Sequence, residues 1–123
     1  MVTALKIEPN LSPYPCQICD NGEYLNHIVS PPSCLVYTAA ALKLENNIAA
    51  IYCRNGHLFS LPANRRVGDR IICGVFYIVR VKNGNLQSLT DSDVVKYSLE
   101  YWASESYTED EIMDSFLTSD TVL

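Results

Sequence analysis

The run RIICGVFYIVRVK-NG-NLQSL, residues 70–89, decides the fold. Its β-branched and aromatic content predicts a long, largely buried strand over 70–82, with Gly74 marking a bulge. Asn83-Gly84 predicts a tight hairpin, because a type I′ turn needs two residues that tolerate positive φ. The chain then returns through residues 85–89. Upstream, NIAAIYC (47–53) and HLFSLP (57–62) flank Arg54-Asn55-Gly56 and carry the same hairpin signal. ANRRVGD (63–69) reads as a polar loop between the pairs. These turns predict four antiparallel strands in a meander.

Helical patterns flank the sheet. CLVYTAAALKLEN (34–46) is rich in helix formers, follows Ser33 as an N-cap and ends at Asn46-Asn47. It is apolar nearly all round over 34–42, which predicts a buried helix. After the sheet, Thr90 or Asp91 caps a helix on which Val95, Leu99 and Trp102 fall at i, i+4 and i+7, one apolar face. Asp91 and Asp93 suit its positive end. Thr108 and Glu111 then form a capping-box signature for a last, acidic helix. Residues 1–33 hold five prolines, four scattered charges and no sustained period, and read as irregular. The fold class is α+β: an irregular cysteine-bearing segment (1–33), an α+β core (34–104) and an acidic C-terminal helix or tail (105–123).

At 123 residues, with 48% hydrophobic and 19% charged side chains, the chain suits one globular domain and excludes a disordered or fibrous one. The longest nearly apolar runs, 34–42 and 71–79, are too short to span a bilayer. The N-terminus lacks a secretory pattern, so an intracellular location, cytoplasm or nucleus, is expected, without membrane association. Thiols or metal ligands are then expected in place of disulfides, and an odd count of five cysteines agrees.

Cys16-x-x-Cys19 is the sharpest motif, since two thiolates at that spacing grip one Zn²⁺ from a turn supplied by Asp20-Asn21-Gly22. A local completion takes His27 and Cys34; a distal one takes Cys53 and His57. Either would bind about one structural zinc per chain. If Asn55-Gly56 is a two-residue turn, Cys53 and His57 point to opposite faces, which favours the local set. Cys73, inside the most apolar strand, reads as core. PCQICDNG (15–22) with CRNGH (53–57) resembles the opening and the Cys-His element of RING-type zinc domains. The closing Cys-x-x-Cys of such domains is absent, and no ligase function follows.

Two further chemistries merit residue numbers. Cys34 at a helix start, with His57 returned beside it, has the layout of papain-like Cys/His hydrolases, although no third residue to orient the histidine stands out. Arg65, Arg66 and Arg70, near Phe59, Phe76 and Tyr77, are a basic patch suited to single-stranded nucleic acid.

Charge is divided along the chain. Residues 1–90 carry eight Lys/Arg against five Asp/Glu, whereas 91–123 carry one Lys against nine acids. The overall −5 opposes non-specific polyanion binding. Ile112, Met113, Phe116 and Leu117 form an apolar stripe on the acidic last helix, suited to a partner's groove or to folding back on the basic region. Thr121-Val122-Leu123 also fits the C-terminal pattern that PDZ-type grooves accept. No complete catalytic set stands out. The leading reading is therefore a small non-enzymatic binding or regulatory protein acting through protein contacts, of the kind viral or phage accessory proteins provide. The Cys34/His57 hydrolase and the nucleic-acid module are the alternatives. On the leading reading, truncation at Ser104 leaves a folded domain that has lost its partner.

Overall fold

The structure is a computed structural model that describes residues 1–30 and 39–119. Strands β1 (Val2–Ile7) and β2 (Tyr14–Ile18) open the chain, followed by helix α1 (Gly22–Val29). Strands β3 (Ala39–Glu45), β4 (Ile48–Cys53), β5 (Ala63–Val67), β6 (Arg70–Cys73), β7 (Phe76–Lys82) and β8 (Asn85–Gln87) follow, then helices α2 (Asp91–Glu100) and α3 (Glu109–Ser119). The class is α+β, with a six-stranded sheet ordered β2-β1-β7-β4-β3 and β8 paired to β7. Strands β5 and β6 form a separate two-stranded sheet, and every pairing is antiparallel.

One rung crosses the large sheet from edge to edge: Pro15, Leu5, Ile78, Ala50 and Leu42. Because side chains alternate faces along a strand, this rung feeds one side and its neighbours feed the other. Leu5, Ile7, Ala50, Phe76 and Ile78 pack with Tyr97 of α2, with Tyr101 just past its end, and with Val67 and Ile72 of the small sheet. Ala4, Ile18, Ile51, Tyr77 and Val79 pack on the opposite face against Leu25 and Val29 of α1. The sheet is therefore covered on both sides. Each fully buried Leu, Ile or Phe stabilises this arrangement by about 1.5–3 kcal/mol.

The N-terminal third corrects the irregular reading of residues 1–33. Strand β1 lies between β2 and β7, with Ala4, Leu5 and Ile7 inaccessible to solvent. The three prolines among the described residues of this segment punctuate without disrupting. Pro9 and Pro13 lie in the connection where Asn10 takes a φ of 65°, and Pro15 sits on an edge strand, where a missing N–H is tolerated. Asn21 starts α1 by accepting from the Tyr24 N–H through Oδ1 at 3.3 Å.

Of the predicted buried helix over 34–46, residues 34–38 lie outside the described residues, 39–45 are strand β3 and Asn46 is in a turn. Leu42-Lys43-Leu44-Glu45 alternates half-buried and exposed side chains, and β3 pairs with β4 from Ala39–Cys53 to Glu45–Ile48. That short period of two, at a sheet edge, outweighs the helix propensity of the alanines.

The four-stranded meander is also corrected. Asn83-Gly84 does close the β7–β8 hairpin, with φ of 54° and 79°. Asn55-Gly56 does not make one. Residues 54–60 form a compact turn in which the Leu58 and Phe59 N–H groups both donate to the Asn55 carbonyl, and Leu61 donates to that of Gly56. Gly56 is needed there for room, because a Cβ would lie 2.5 Å from the Cys73 carbonyl oxygen. The predicted long strand breaks at Gly74, whose φ of 88° turns the chain from the small sheet into the large one. The predicted loop 63–69 is mostly strand β5, closed on β6 by Gly68-Asp69, with Gly68 at a φ of 60°.

Helix α3 packs against β6. Its capping box forms as predicted: Thr108 N–H donates to Glu111 Oε1 at 3.0 Å and Glu111 N–H donates to Thr108 Oγ1 at 3.1 Å. Ser115 Oγ accepts from the Ile71 N–H at 3.1 Å, and Phe116 is buried. Among the described residues, no helix is long and apolar enough to cross a membrane.

Candidate functional site

Helix α2 is rotated by polar anchors. Thr90 Oγ1 accepts from the Asp93 N–H at 3.1 Å, and Thr90 N–H returns a bond to Asp93 Oδ2 at 2.9 Å. Arg80 adds Nε and Nη2 to the same carboxylate oxygen at 3.1 and 2.7 Å. Burial alone would raise the Asp93 pKa, but the Thr90 bonds and the Arg80 charge overcome it and hold the group below its ordinary value. One turn on, Tyr97 is buried and its hydroxyl donates to Glu45 Oε1, which Lys96 also pairs at 3.0 Å. Tyr101 caps the helix with its ring edge-on to Phe76 at 6.0 Å. Burial, with the Glu100 charge second, pushes the Tyr101 phenol up to about 12.

Positions 93, 97 and 101 therefore face inward. The apolar face read from Val95, Leu99 and Trp102 points outward, with exposures of 59%, 71% and 57%. Val95 and Leu99 stand one turn apart, and Trp102 follows the Tyr101 cap. Exposed Asp91 stands one turn before Val95, while Glu100 and Glu105 lie in the cleft with Arg66 and Tyr107. Two large apolar side chains thus stand in water on a helix locked against rotation, with a third just past its end. Sequence reasoning found the stripe but not its direction. The missed signal was the set of tyrosines, whose rings suit a core and whose hydroxyls suit polar anchors.

The cysteine and histidine candidates are dispersed. Cys16 is half-buried on β2 opposite Ala4, and burial raises its thiol pKa, with the Lys6 charge opposing. Cys19 is half-buried beyond β2, His27 is exposed on α1, and Cys53 and Cys73 are buried. Among the described residues, no three His, Cys, Asp or Glu side chains gather where they could hold a metal ion. Neither Cys16, Cys19 and His27 nor Cys16, Cys19, Cys53 and His57 forms such a group. Cys34, shared by the local zinc set and the hydrolase reading, lies outside the described residues.

The basic patch separates into different roles. Arg65 is 2% exposed: Nε donates to the Tyr101 carbonyl at 3.0 Å, and Nη1 donates to the Glu8 carbonyl at 3.3 Å and to Asn64 Oδ1 at 2.6 Å. Nη2 donates to the Leu11 carbonyl. Arg66 is exposed, 5.9 Å from the Tyr107 ring centroid. Arg70 reaches the Tyr52 hydroxyl at 2.7 Å. Phe76 and Tyr77, expected to stack bases, are core residues, and only Phe59 of that set is exposed. On the last helix, Phe116 is buried under its own domain, Ile112 is half-buried and Met113 is exposed; Leu117 lies within α3.

A second concentration of polar chemistry lies where the 54–60 turn meets β6 and α3. Tyr52, Arg54, Asn55, His57, Arg70 and Phe116 share a cleft of about 530 Å³. The His57 ring stacks on Phe116 with centroids 4.0 Å apart and planes 20° from parallel. Arg70 lies 5.7 Å from the same ring centroid. Compared with known proteins, the chain matches no family model, no curated protein and no solved structure.

Proposed function

We propose that the chain is a non-enzymatic binding protein that acts through contact with another protein, and that Val95, Leu99 and Trp102 are the core of its contact surface. The observation that carries this reading is the exposure of Val95 and Leu99 on a helix whose opposite side is fixed by Asp93 and Tyr97, with exposed Trp102 following the buried Tyr101 cap. Exposed large hydrophobes forfeit about 1.5–3 kcal/mol each, which a partner recovers by covering them. Tryptophan is enriched among interface anchors, and Trp102 is the aromatic member of this set.

Charge selects the partner. Asp91 lies one turn before Val95, and residues 91–123 hold nine acids against one lysine. A second copy of the same face would bring like charges together, which opposes a symmetric dimer. The partner is a segment with apolar side chains flanked by Lys or Arg.

The test begins with partners cross-linked in cells through a photoreactive group at position 98, each then purified and titrated against the full chain. Leu99→Ser and Trp102→Ala should each weaken the cognate complex at least about tenfold while leaving the thermal midpoint unchanged. Undiminished affinity in both variants would remove this face from the interface. A concentration-dependent homodimer, dissolved by Leu99→Ser, would overturn the partner chemistry.

A further inference from the structure

The geometry points to a second protein-contact surface, on elements other than α2: the groove between the 54–60 turn and the first half of α3 receives an apolar side chain of a partner segment, with a Lys or Arg beside it in that segment. The groove holds about 410 Å³ and is lined by Ser60, Leu61, Glu109, Ile112 and Met113, with His57, itself stacked on Phe116, completing it. Leu58 and Phe59 come between the lining residues His57 and Ser60 in the chain and are 65% and 42% exposed, and Met113 is 43% exposed. The last helix's apolar stripe is thus divided, with Phe116 buried under its own domain and Ile112 and Met113 left at the groove.

The turn that carries Leu58 and Phe59 is fastened from within and behind. Both of their N–H groups donate to the Asn55 carbonyl, Leu61 N–H donates to that of Gly56 at 3.0 Å, and Gly74 N–H donates to that of Pro62 at 2.7 Å. Leu61 packs so close to Gly74 that a Cβ there would lie 2.8 Å from its Cδ1. Ser60 sits at a φ of 57°, a left-handed backbone that residues other than Gly, Asn and Asp rarely adopt, and strain of this kind gathers at ligand clamps. A partner meets such a turn already ordered, so little entropy is lost on contact. Charge sets what flanks the inserted side chain. Glu109 is exposed and has no basic partner among the described residues, and α3 adds Asp110, Glu111 and Asp114 with no Lys or Arg. A basic neighbour is drawn to that field and an acidic one is repelled. A second copy of the same surface would set α3 acids against α3 acids, which opposes self-association here.

The chain has two methionines, Met1 and Met113, so ¹³C-methyl labelling of methionine gives the groove its own reporter. The full chain is titrated with the acetylated, amidated peptide Leu-Lys-Leu-Lys and, separately, with Leu-Glu-Leu-Glu. A saturable shift of the Met113 methyl is expected with the lysine peptide alone. Glu109 lies outside the Thr108–Glu111 capping box, so Glu109→Gln keeps the fold and should weaken binding about threefold. Phe59→Ser, at an exposed position, should weaken it about tenfold with the thermal midpoint unchanged. No saturable shift, an equal shift with both peptides, or undiminished affinity in either variant would overturn the surface. A Met113 shift that follows protein concentration without peptide would give the groove to a second copy and overturn the partner. Trp102 emission reads the α2 stripe in the same samples, so failure of either surface is seen apart from the other.

Discussion

The buried guanidinium of Arg65 donates to the carbonyl of Tyr101 at 3.0 Å, fastening the end of α2 to the small sheet. The same side chain reaches the carbonyls of Glu8 and Leu11, so one residue ties three segments distant in sequence. It does this with a charge at 2% exposure, and burial lowers its pKa while nearby Tyr107 and Glu105 oppose that shift. Trp102 is the residue after the one held, so Arg65 positions the proposed contact surface from below.

Removing that guanidinium takes a donor from the buried Tyr101 carbonyl and from the part-buried carbonyls of Glu8 and Leu11. Arg65→Met should destabilise the fold by about 3 kcal/mol or more, read as a lowered urea midpoint. A loss below about 1 kcal/mol would mean that water replaces the arginine readily.

Asp93 gives the fold an acid-side dependence. Its folded pKa lies below the ordinary 3.8, so its contribution is complete above that value and is lost as pH falls through the folded one. Asp93→Asn should cost about 1.5 kcal/mol at neutral pH, through the lost charge on the Arg80 bonds. The gap between variant and wild type should then close in the acid range. A gap independent of pH would contradict the assignment.

Two glycines should respond for different reasons. Gly56→Ala places a Cβ 2.5 Å from a backbone oxygen and should destabilise by about 2 kcal/mol. Gly84→Ala meets nothing within 4 Å and should cost only the strain of a positive φ, about 1 kcal/mol. Thermal unfolding of both ranks them.

Helix α3 is a structural cover as well as an acidic surface. Phe116→Ala should cost about 3 kcal/mol, since the ring packs on His57 and lies near Arg70. Truncation at Ser104 removes both that ring and the Ser115 acceptor for Ile71 N–H. It should therefore lower stability, a different outcome from the cleanly detachable end that the sequence suggests. Amide exchange at Ile71 reads this directly, with faster exchange expected after truncation.

Local turn chemistry made part of this structure legible. Asn83-Gly84, the Thr108/Glu111 box and the Thr90 cap each depend on residues within four positions of one another. Reasoning failed where distant contacts decide. The alanines of β3 favour a helix by propensity, and pairing with β4 overrides them. Asn55-Gly56 carries a hairpin signal, yet the glycine answers to a carbonyl of Cys73. Gly74, expected as a bulge, is a corner between two sheets. The candidate site was legible as a period and not as a direction: the spacing of Val95, Leu99 and Trp102 marks a stripe, but the partners of Asp93 and Tyr97 lie far away at Arg80 and Glu45. Arg65 reads from sequence as part of an exposed basic patch, and its buried role stays hidden because a buried arginine is rare.

Trp102 is the chain's single tryptophan and is 57% exposed, so its emission reports on the stripe without a label. The most direct measurement is its fluorescence during titration with a synthetic amphipathic helix bearing Leu on one face and Lys on the other. A saturable blue shift is predicted, absent in Leu99→Ser and absent when the peptide's Lys are exchanged for Glu. No shift with the lysine peptide, or an equal shift with both peptides, would contradict a base-selecting apolar contact surface on α2.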